Sequence, residues 1–225
     1  MNKYRTAPED SSFYFSEIKQ KKRELILSLL SSMSSSKVVL TLGGLYAKDA
    51  KMFAAQGARV LSVEMDKDTF VKQKNELIHY PNVTPLFGKL ENVIEQDFIH
   101  TFSFNLVYLD YLGPYNKSKE DTIIALFNKN LIAKDGYICL TVMLAREDKK
   151  NFKDTILLNV TCQDDINLYF ENREDILAQT LRDIARASGK RLKTISIGRY
   201  RNNEIDLNIS SATPPMFLCI MKVIS

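Results

Sequence analysis

Two carboxylates stand where a folded sheet would present them to a ligand, Glu64 and Asp110. Glu64 closes the run Arg59-Val60-Leu61-Ser62-Val63-Glu64 and follows the pair Gly43-Gly44 by about 20 residues, the separation at which an acid can accept hydrogen bonds from the hydroxyls of a nucleoside ribose. Paired glycines let the backbone approach a bound group, and the N-terminus of a following helix offers free N–H donors. Asp110 closes the nearly all-apolar run Phe104-Asn105-Leu106-Val107-Tyr108-Leu109 and is followed by Tyr111-Leu112-Gly113-Pro114-Tyr115. The carboxyl end of a strand near the switch point of a doubly wound sheet is where such folds bind ligands, so Asp110 should face a cleft. The same residues also suit a helix cap, packing aromatics and a plain turn at Gly113-Pro114. Metal chemistry is not expected: there are two histidines, and Cys139, Cys162 and Cys219 are widely spaced with no C-x-x-C, as befits structural thiols.

These residues can share a site only if strands end together. Val38-Val39-Leu40-Thr41-Leu42 is a β-branched run that stops at the glycines, residues 45–56 have helical character and 59–64 is a second apolar run, which is the start of a βαβ unit. Residues 68–79 read as a helix with Phe70, Val71 and Leu77 inward, stopped by Pro81-Asn82. Residues 83–88 form a short third strand, with Pro85 against a long central ladder, and 89–99 a helix with Leu90, Val93, Ile94 and Phe98 on one side. The fourth strand, 104–110, is apolar on both faces, as a parallel sheet requires. Ser118 opens a helix over 118–131, with Glu120 and Asp121 at the positive end of its dipole, and after a turn at Asp135-Gly136 the fifth strand covers 137–143. Leu177, Leu181, Ile184 and Ala185 stripe the clearest helix, 171–188, ended by Gly189. The β-rich runs 193–200 and 216–224 have no helix between them and should pair as an antiparallel hairpin. The expected fold is α/β: a doubly wound, mostly parallel seven-stranded sheet with an antiparallel C-terminal strand and helices on both faces.

Ahead of the first strand, residues 1–15 read as an extended arm. Residues 16–33, with Ser16 as N-cap, read as an amphipathic helix that turns Ile18, Leu25, Ile26, Leu29, Leu30 and Met33 inward and the group Lys19, Lys21, Lys22 and Arg23 outward. The organisation expected is an arm and helix, 1–36, packed on one domain, 37–225, carrying an insertion around 145–170. A chain of 225 residues suits one such domain. No secretory signal or membrane-length apolar run is apparent, so a cytoplasmic protein without membrane contact is expected. The net charge of +4 is mild, but Arg182, Arg186, Lys190, Arg191, Lys193, Arg199 and Arg201 gather late in the chain. Such a face either meets a polyanion or is simply solvated. Arg182 and Arg186, one turn apart, are the candidates for phosphate contact.

The loop Gly43-Gly44-Leu45-Tyr46-Ala47-Lys48 lacks the second glycine of G-x-G-x-x-G, which disfavours a pyrophosphate and hence a dinucleotide. With that loop, Glu64, and Asp110 at the end of strand four, residues 37–143 resemble the class I S-adenosylmethionine-dependent methyltransferases. The resemblance implies S-adenosylmethionine as cofactor. Leu42, Gly43 and Gly44 would lie along its methionine part and ribose, Glu64 would take the ribose hydroxyls, Lys89 and Leu90 would flank the adenine, and Met65, Gly88 and Asp110 would also contact the cofactor. Asp110 through Tyr115 loosely resembles the Asp-Pro-Pro-Tyr signature of amino-methyltransferases, which implies Asp110 as acceptor of a target amine and Tyr115 as stacking ring, with Tyr111, Gly113 and Pro114 shaping the substrate slot. In this family an insertion such as 145–170 often caps the substrate side, and surface decoration is the alternative.

The reading that follows is methyl transfer to a nucleic-acid base, RNA ahead of DNA. A small molecule or protein acceptor is the second reading. A binding or structural subunit without turnover is the third, prompted by Thr41 where the family commonly has an acid and by the absence of an acid after strand three. Homo- or hetero-oligomerisation stays open.

Overall fold

The structure is a computed structural model that describes residues 17–33, 36–111, 113–144, 163–200 and 216–224. Its apolar runs form the strands β1 (Val38–Leu42), β2 (Arg59–Glu64), β3 (Val83–Phe87), β4 (Phe104–Asp110), β5 (Ile132–Met143), β6 (Arg191–Tyr200) and β7 (Met216–Ile224). They build one sheet in the order β3-β2-β1-β4-β5-β7-β6. The first five strands are parallel, and β7 runs against both β5 and β6. The expected doubly wound α/β sheet with a reversed strand is the architecture found.

Between the strands lie α1 (Glu17–Ser31), α2 (Lys48–Ala55), α3 (Lys67–Glu76), the single-turn α4 (Leu90–Val93), α5 (Lys117–Asn128) and α6 (Gln163–Ala187). Because strand residues alternate between faces, β1 and β4 feed two cores at once. Val39, Leu106 and Tyr108 join Ile26 and Leu30 of α1 and Phe53 of α2 on one face; Leu40, Val107 and Leu109 join Leu90, Ile123 and Leu181 on the other. The sheet is thereby covered on both sides.

Several expectations need correction. Arg23 does not face away with its basic neighbours: only 5% exposed, it lies on the stripe of Ile26 and Leu30, and its Nε donates to Asp49 in the first turn of α2 at 2.6 Å. The helix expected over 89–99 breaks into α4 and a 3-10 turn, Asp97–Thr101, which turns Phe98 outward while Leu90, Val93, Ile94 and Ile99 stay buried. On α3 the inward positions are Thr69, Gln73 and Leu77, and Val71 is exposed. Asp135-Gly136 is not a turn before β5 but an irregularity inside it, where the register against β4 shifts. Glycine is required there, since a Cβ would stand 2.9 Å from the Ala133 carbonyl oxygen and 3.0 Å from that of Phe104. The helix expected over 171–188 begins earlier, at Gln163, and kinks at Asn172, so the predicted stripe is its second limb. The arm, Ser16, Leu112, the insertion up to residue 162 with Cys162, and Arg201 lie outside the described residues.

The Arg23–Asp49 pair ties α1 to α2 in a nearly dry contact, and removing one member of a buried pair strands the other charge. Arg23→Ala is expected to lower stability by about 3 kcal/mol in urea unfolding, whereas the double replacement Arg23→Met with Asp49→Leu recovers most of that loss.

Candidate functional site

The carboxyl ends of β2, β1 and β4 stand side by side. Leu42 pairs with Val63, and Thr41 with Tyr108 two residues short of Asp110. Beyond Leu42 the Gly43 N–H donates to the Val63 carbonyl at 2.6 Å, so the chain stays on β2 for one residue more before turning away. A Cβ on Gly43 would stand 2.8 Å from Glu64 Cβ and 2.8 Å from Gln73 Nε2, so only glycine allows the loop to lie directly on the acid. At Gly44, by contrast, a Cβ would meet nothing within 4 Å. The turn closes with the Ala47 N–H on the Gly44 carbonyl at 2.9 Å. Ala47 is held left-handed (φ 48°), a conformation that costs a residue with a Cβ about 1 kcal/mol. It caps α2 without a side-chain hydrogen bond, so the first N–H groups of α2 face the loop without a side-chain acceptor at that cap.

Glu64 Oε1 accepts the Asp66 N–H at 2.9 Å. Burial raises the carboxyl above the ordinary glutamate range, opposed by hydrogen bonds from the Asp66 and Met65 N–H groups. Asp66 itself caps α3 through the Thr69 N–H at 2.8 Å, which holds its carboxyl low. Met65 is exposed beside Glu64. Gly88, at φ 141°, donates its N–H to the Glu64 carbonyl at 2.9 Å and brings the end of β3 into the same edge. Lys89 is exposed there, while Leu90 is buried in the core and presents no free face.

Asp110 is half-buried and close enough to Arg23 to strengthen that guanidinium's hold on its proton, after the larger opposing effects of burial and Asp49. The loop beyond it is laid over β5: the Tyr111 N–H donates to the Thr141 carbonyl and the Met143 N–H to the Gly113 carbonyl, each at 3.0 Å. Tyr111 and Tyr115 turn into the core on the α4 and α5 side, and burial pushes both phenols far up. Tyr115 is 7% exposed, which leaves its ring no open face for stacking in this arrangement.

Leu42, Gly43, Gly44, Glu64, Met65, Gly88, Lys89 and Asp110 are therefore brought to one edge, with Tyr111, Gly113 and Pro114 in the loop beside it. Arg182 and Arg186 are not. Because α6 returns against the parallel strands, its last turns lie toward their amino ends. Arg182 Nη2 donates to Thr194 Oγ1 at 2.8 Å, near the start of the outermost strand β6, and Arg186 pairs with Asp183 at 2.8 Å one turn farther on. Sequence reasoning missed Arg23 and Gln73. Gln73 is fully buried, donates to Ser62 Oγ at 2.5 Å and backs Gly43, while its Oε1 has no hydrogen-bond partner among the described residues. Its signal was a polar residue spaced four from Thr69 on the inward stripe of α3.

The two glycines should separate packing from ligand contact. Gly43→Ala is expected to cost about 1–3 kcal/mol in thermal unfolding through overpacking against Gln73 and Glu64. Gly44→Ala should leave the melting temperature within a degree or so of the parent.

Solved structures share this fold. The chain is similar to precorrin-6y C5,15-methyltransferase from Geobacter metallireducens, at 14% identity with 97% of this chain and 94% of that chain covered and a TM-score of 0.54. It is similar to the YcgJ protein of Bacillus subtilis, at 13% identity with 91% and 98% covered and a TM-score of 0.58. It is also similar to P. horikoshii TYW2 in complex with MeSAdo, at 10% identity with 91% and 62% covered and a TM-score of 0.54. No protein-family profile matches the chain, and no curated protein matches it in sequence. With β7 reversed between β5 and β6, and helices on both faces, the chain has the class I S-adenosylmethionine-dependent methyltransferase fold.

Proposed function

We propose that the chain is an S-adenosylmethionine-dependent methyltransferase whose cofactor lies across the carboxyl ends of β1 and β2. The observation that carries this reading is the seating of Gly43 directly on Glu64, with Gly44 opening onto free space. That pairing suits a nucleoside without phosphates: a backbone turn for the amino-acid part and a carboxylate for two adjacent hydroxyls. The TYW2 structure, which holds MeSAdo on this fold, supports the same ligand class. When bound, the cofactor supplies an activated methyl group on a sulfonium. Glu64 accepts the ribose hydroxyls, Met65, Gly88 and Lys89 border the adenine, and Asp110 orients the acceptor. The loop through Tyr111, Gly113 and Pro114 walls the acceptor side and excludes water.

Glu64 accepts from two hydroxyls at once, and most strongly, as the carboxylate; protonation turns one oxygen into a donor and weakens the pair. Its raised pKa therefore places the loss of cofactor affinity above the ordinary glutamate range: calorimetry with S-adenosylmethionine should show tight binding near pH 7 that weakens as pH falls through that raised value. In the unliganded protein the sign reverses. The folded state holds the Glu64 proton more tightly than the unfolded chain, so the stability this group contributes is present at low pH and lost as pH rises through the folded pKa. Absence of binding heat at pH 7, or an unchanged heat in Glu64→Ala, would overturn the assignment.

For the acceptor we favour a base in nucleic acid, RNA ahead of DNA. The exposed Lys67 and Lys89, which follow Glu64 and β3 at the cleft edge, are the groups we assign to the phosphates in place of Arg182 and Arg186. Charge reversal at Lys67 and Lys89 is expected to weaken RNA retention on filters about tenfold at low salt and to flatten its salt dependence. The same change at Arg182 and Arg186 should have little effect. Label from a methyl-tritiated donor appearing in the small molecules of a cell extract, and not in its RNA, would transfer the assignment to a small-molecule acceptor.

A further inference from the structure

Lys119 stands in the first turn of α5, and its side chain folds back into the loop that follows Asp110. Its Nζ donates to the Pro114 carbonyl, lies 5.1 Å from the centre of the Tyr111 ring, and would be 3.6 Å from a Cβ on Gly113. The amine is thus enclosed by the residues that border the acceptor side of the cleft. Among the described residues, no neighbour supplies it a counter-charge. Glu91 of α4 acts on Tyr111; on α5, Glu120 lies beside Tyr115 and reaches Lys117, which also pairs with Asp121; across the sheet, Asp110 acts on Arg23. A buried ammonium held by one neutral carbonyl and one ring is poorly compensated, so the balance shifts toward its neutral form. Burial alone brings the amine down to about 8, whereas the two phenols beside it are pushed well above any working pH.

We propose that the Lys119 amine is the proton acceptor of the methyl-transfer site, and hence that the acceptor atom is a nitrogen or oxygen that still carries a proton. This rests on the methyltransferase reading above. In the step, the lone pair of the acceptor N or O forms a bond to the methyl carbon. The carbon–sulfur bond breaks with its electrons going to sulfur, which leaves as a neutral thioether. The proton displaced from the acceptor passes to neutral Nζ and from there to solvent. The Pro114 carbonyl and the Tyr111 ring are positioning groups, since they fix the amine and, as the ammonium forms, stabilise it by hydrogen bond and by ring contact.

The test uses the full chain, a methyl-tritiated S-adenosylmethionine donor and total RNA and metabolites from a cell extract as acceptors. The wild-type rate constant kcat should rise with pH and level off above about 8. Lys119→Met should lose about a hundredfold in kcat, in line with the usual worth of general base catalysis, and lose that pH dependence. Lys119→Arg, which keeps a cation of similar reach but cannot take up a proton at these pH values, should be equally impaired. Donor affinity by calorimetry should stay within about threefold in both variants, and both should melt as folded proteins. A fully active Lys119→Arg would make the residue an anion contact and overturn the proposal. So would a Lys119→Met variant that matches the wild type at every pH. If the wild type transfers no label and binds no donor, the methyltransferase reading itself fails and takes this one with it.

Discussion

The site depends on an absence of volume. β1 and β2 run so closely together at their carboxyl ends that the residue after Leu42 can carry no side chain, because Glu64 Cβ and the Gln73 amide already occupy the space. That one contact decides where the chain leaves the sheet and how closely the turn lies on Glu64. Gln73 supports the contact from behind through Ser62, so a residue of α3 sets the geometry of a turn that follows β1. Helix α1 supports it from the side: the Arg23–Asp49 pair fixes the first turn of α2, and the same guanidinium acts on Asp110 at the end of β4. Three chain segments remote in sequence converge on a patch a few residues across.

Much of this was legible in the residue pattern. The break of an apolar run at Gly43-Gly44 and the acid closing the next run are local signals, and the lack of a helix between the two late β-runs foretold the antiparallel pair. Solvation follows the stripe a residue occupies rather than its company in the sequence. Arg23 is set three positions from Ile26 and seven from Leu30, which is the spacing of a buried residue, but its membership in a basic group concealed this. Its partner Asp49 is 26 positions away and could not be read locally. Phe98 fitted a continuous helix that the chain does not make. Arg182 and Arg186 form a basic pair by type, yet the direction of the helix carries them to the amino-terminal part of an outer strand. A helix that returns between parallel strands always presents its last turn at the edge away from the strand ends, and that rule was available from the element order alone.

The roles of the aromatic residues after β4 show the difference between a motif and its setting. Tyr111 and Tyr115 follow an acid in the manner of an acceptor-stacking signature, but the intervening residues let the loop fold over β5 and draw both rings into the core. What the loop leaves beside Asp110 are the backbone of Gly113 and Pro114 and the amine of Lys119, which donates to the Pro114 carbonyl.

The placement of β7 has a bearing on how the molecule assembles. A chain that emerges in order makes β6 before β7, yet β6 touches the sheet only through β7, which inserts between it and β5. Until β7 arrives, β5 presents an open, apolar margin with Ile138, Cys139 and Leu140 unmatched, a surface prone to pair with another molecule. Long-range pairing of this kind closes large loops and is slow, so nascent chains should depend on holding factors during that interval, and a chain cut short before Met216 would be expected to aggregate rather than to persist as a smaller sheet.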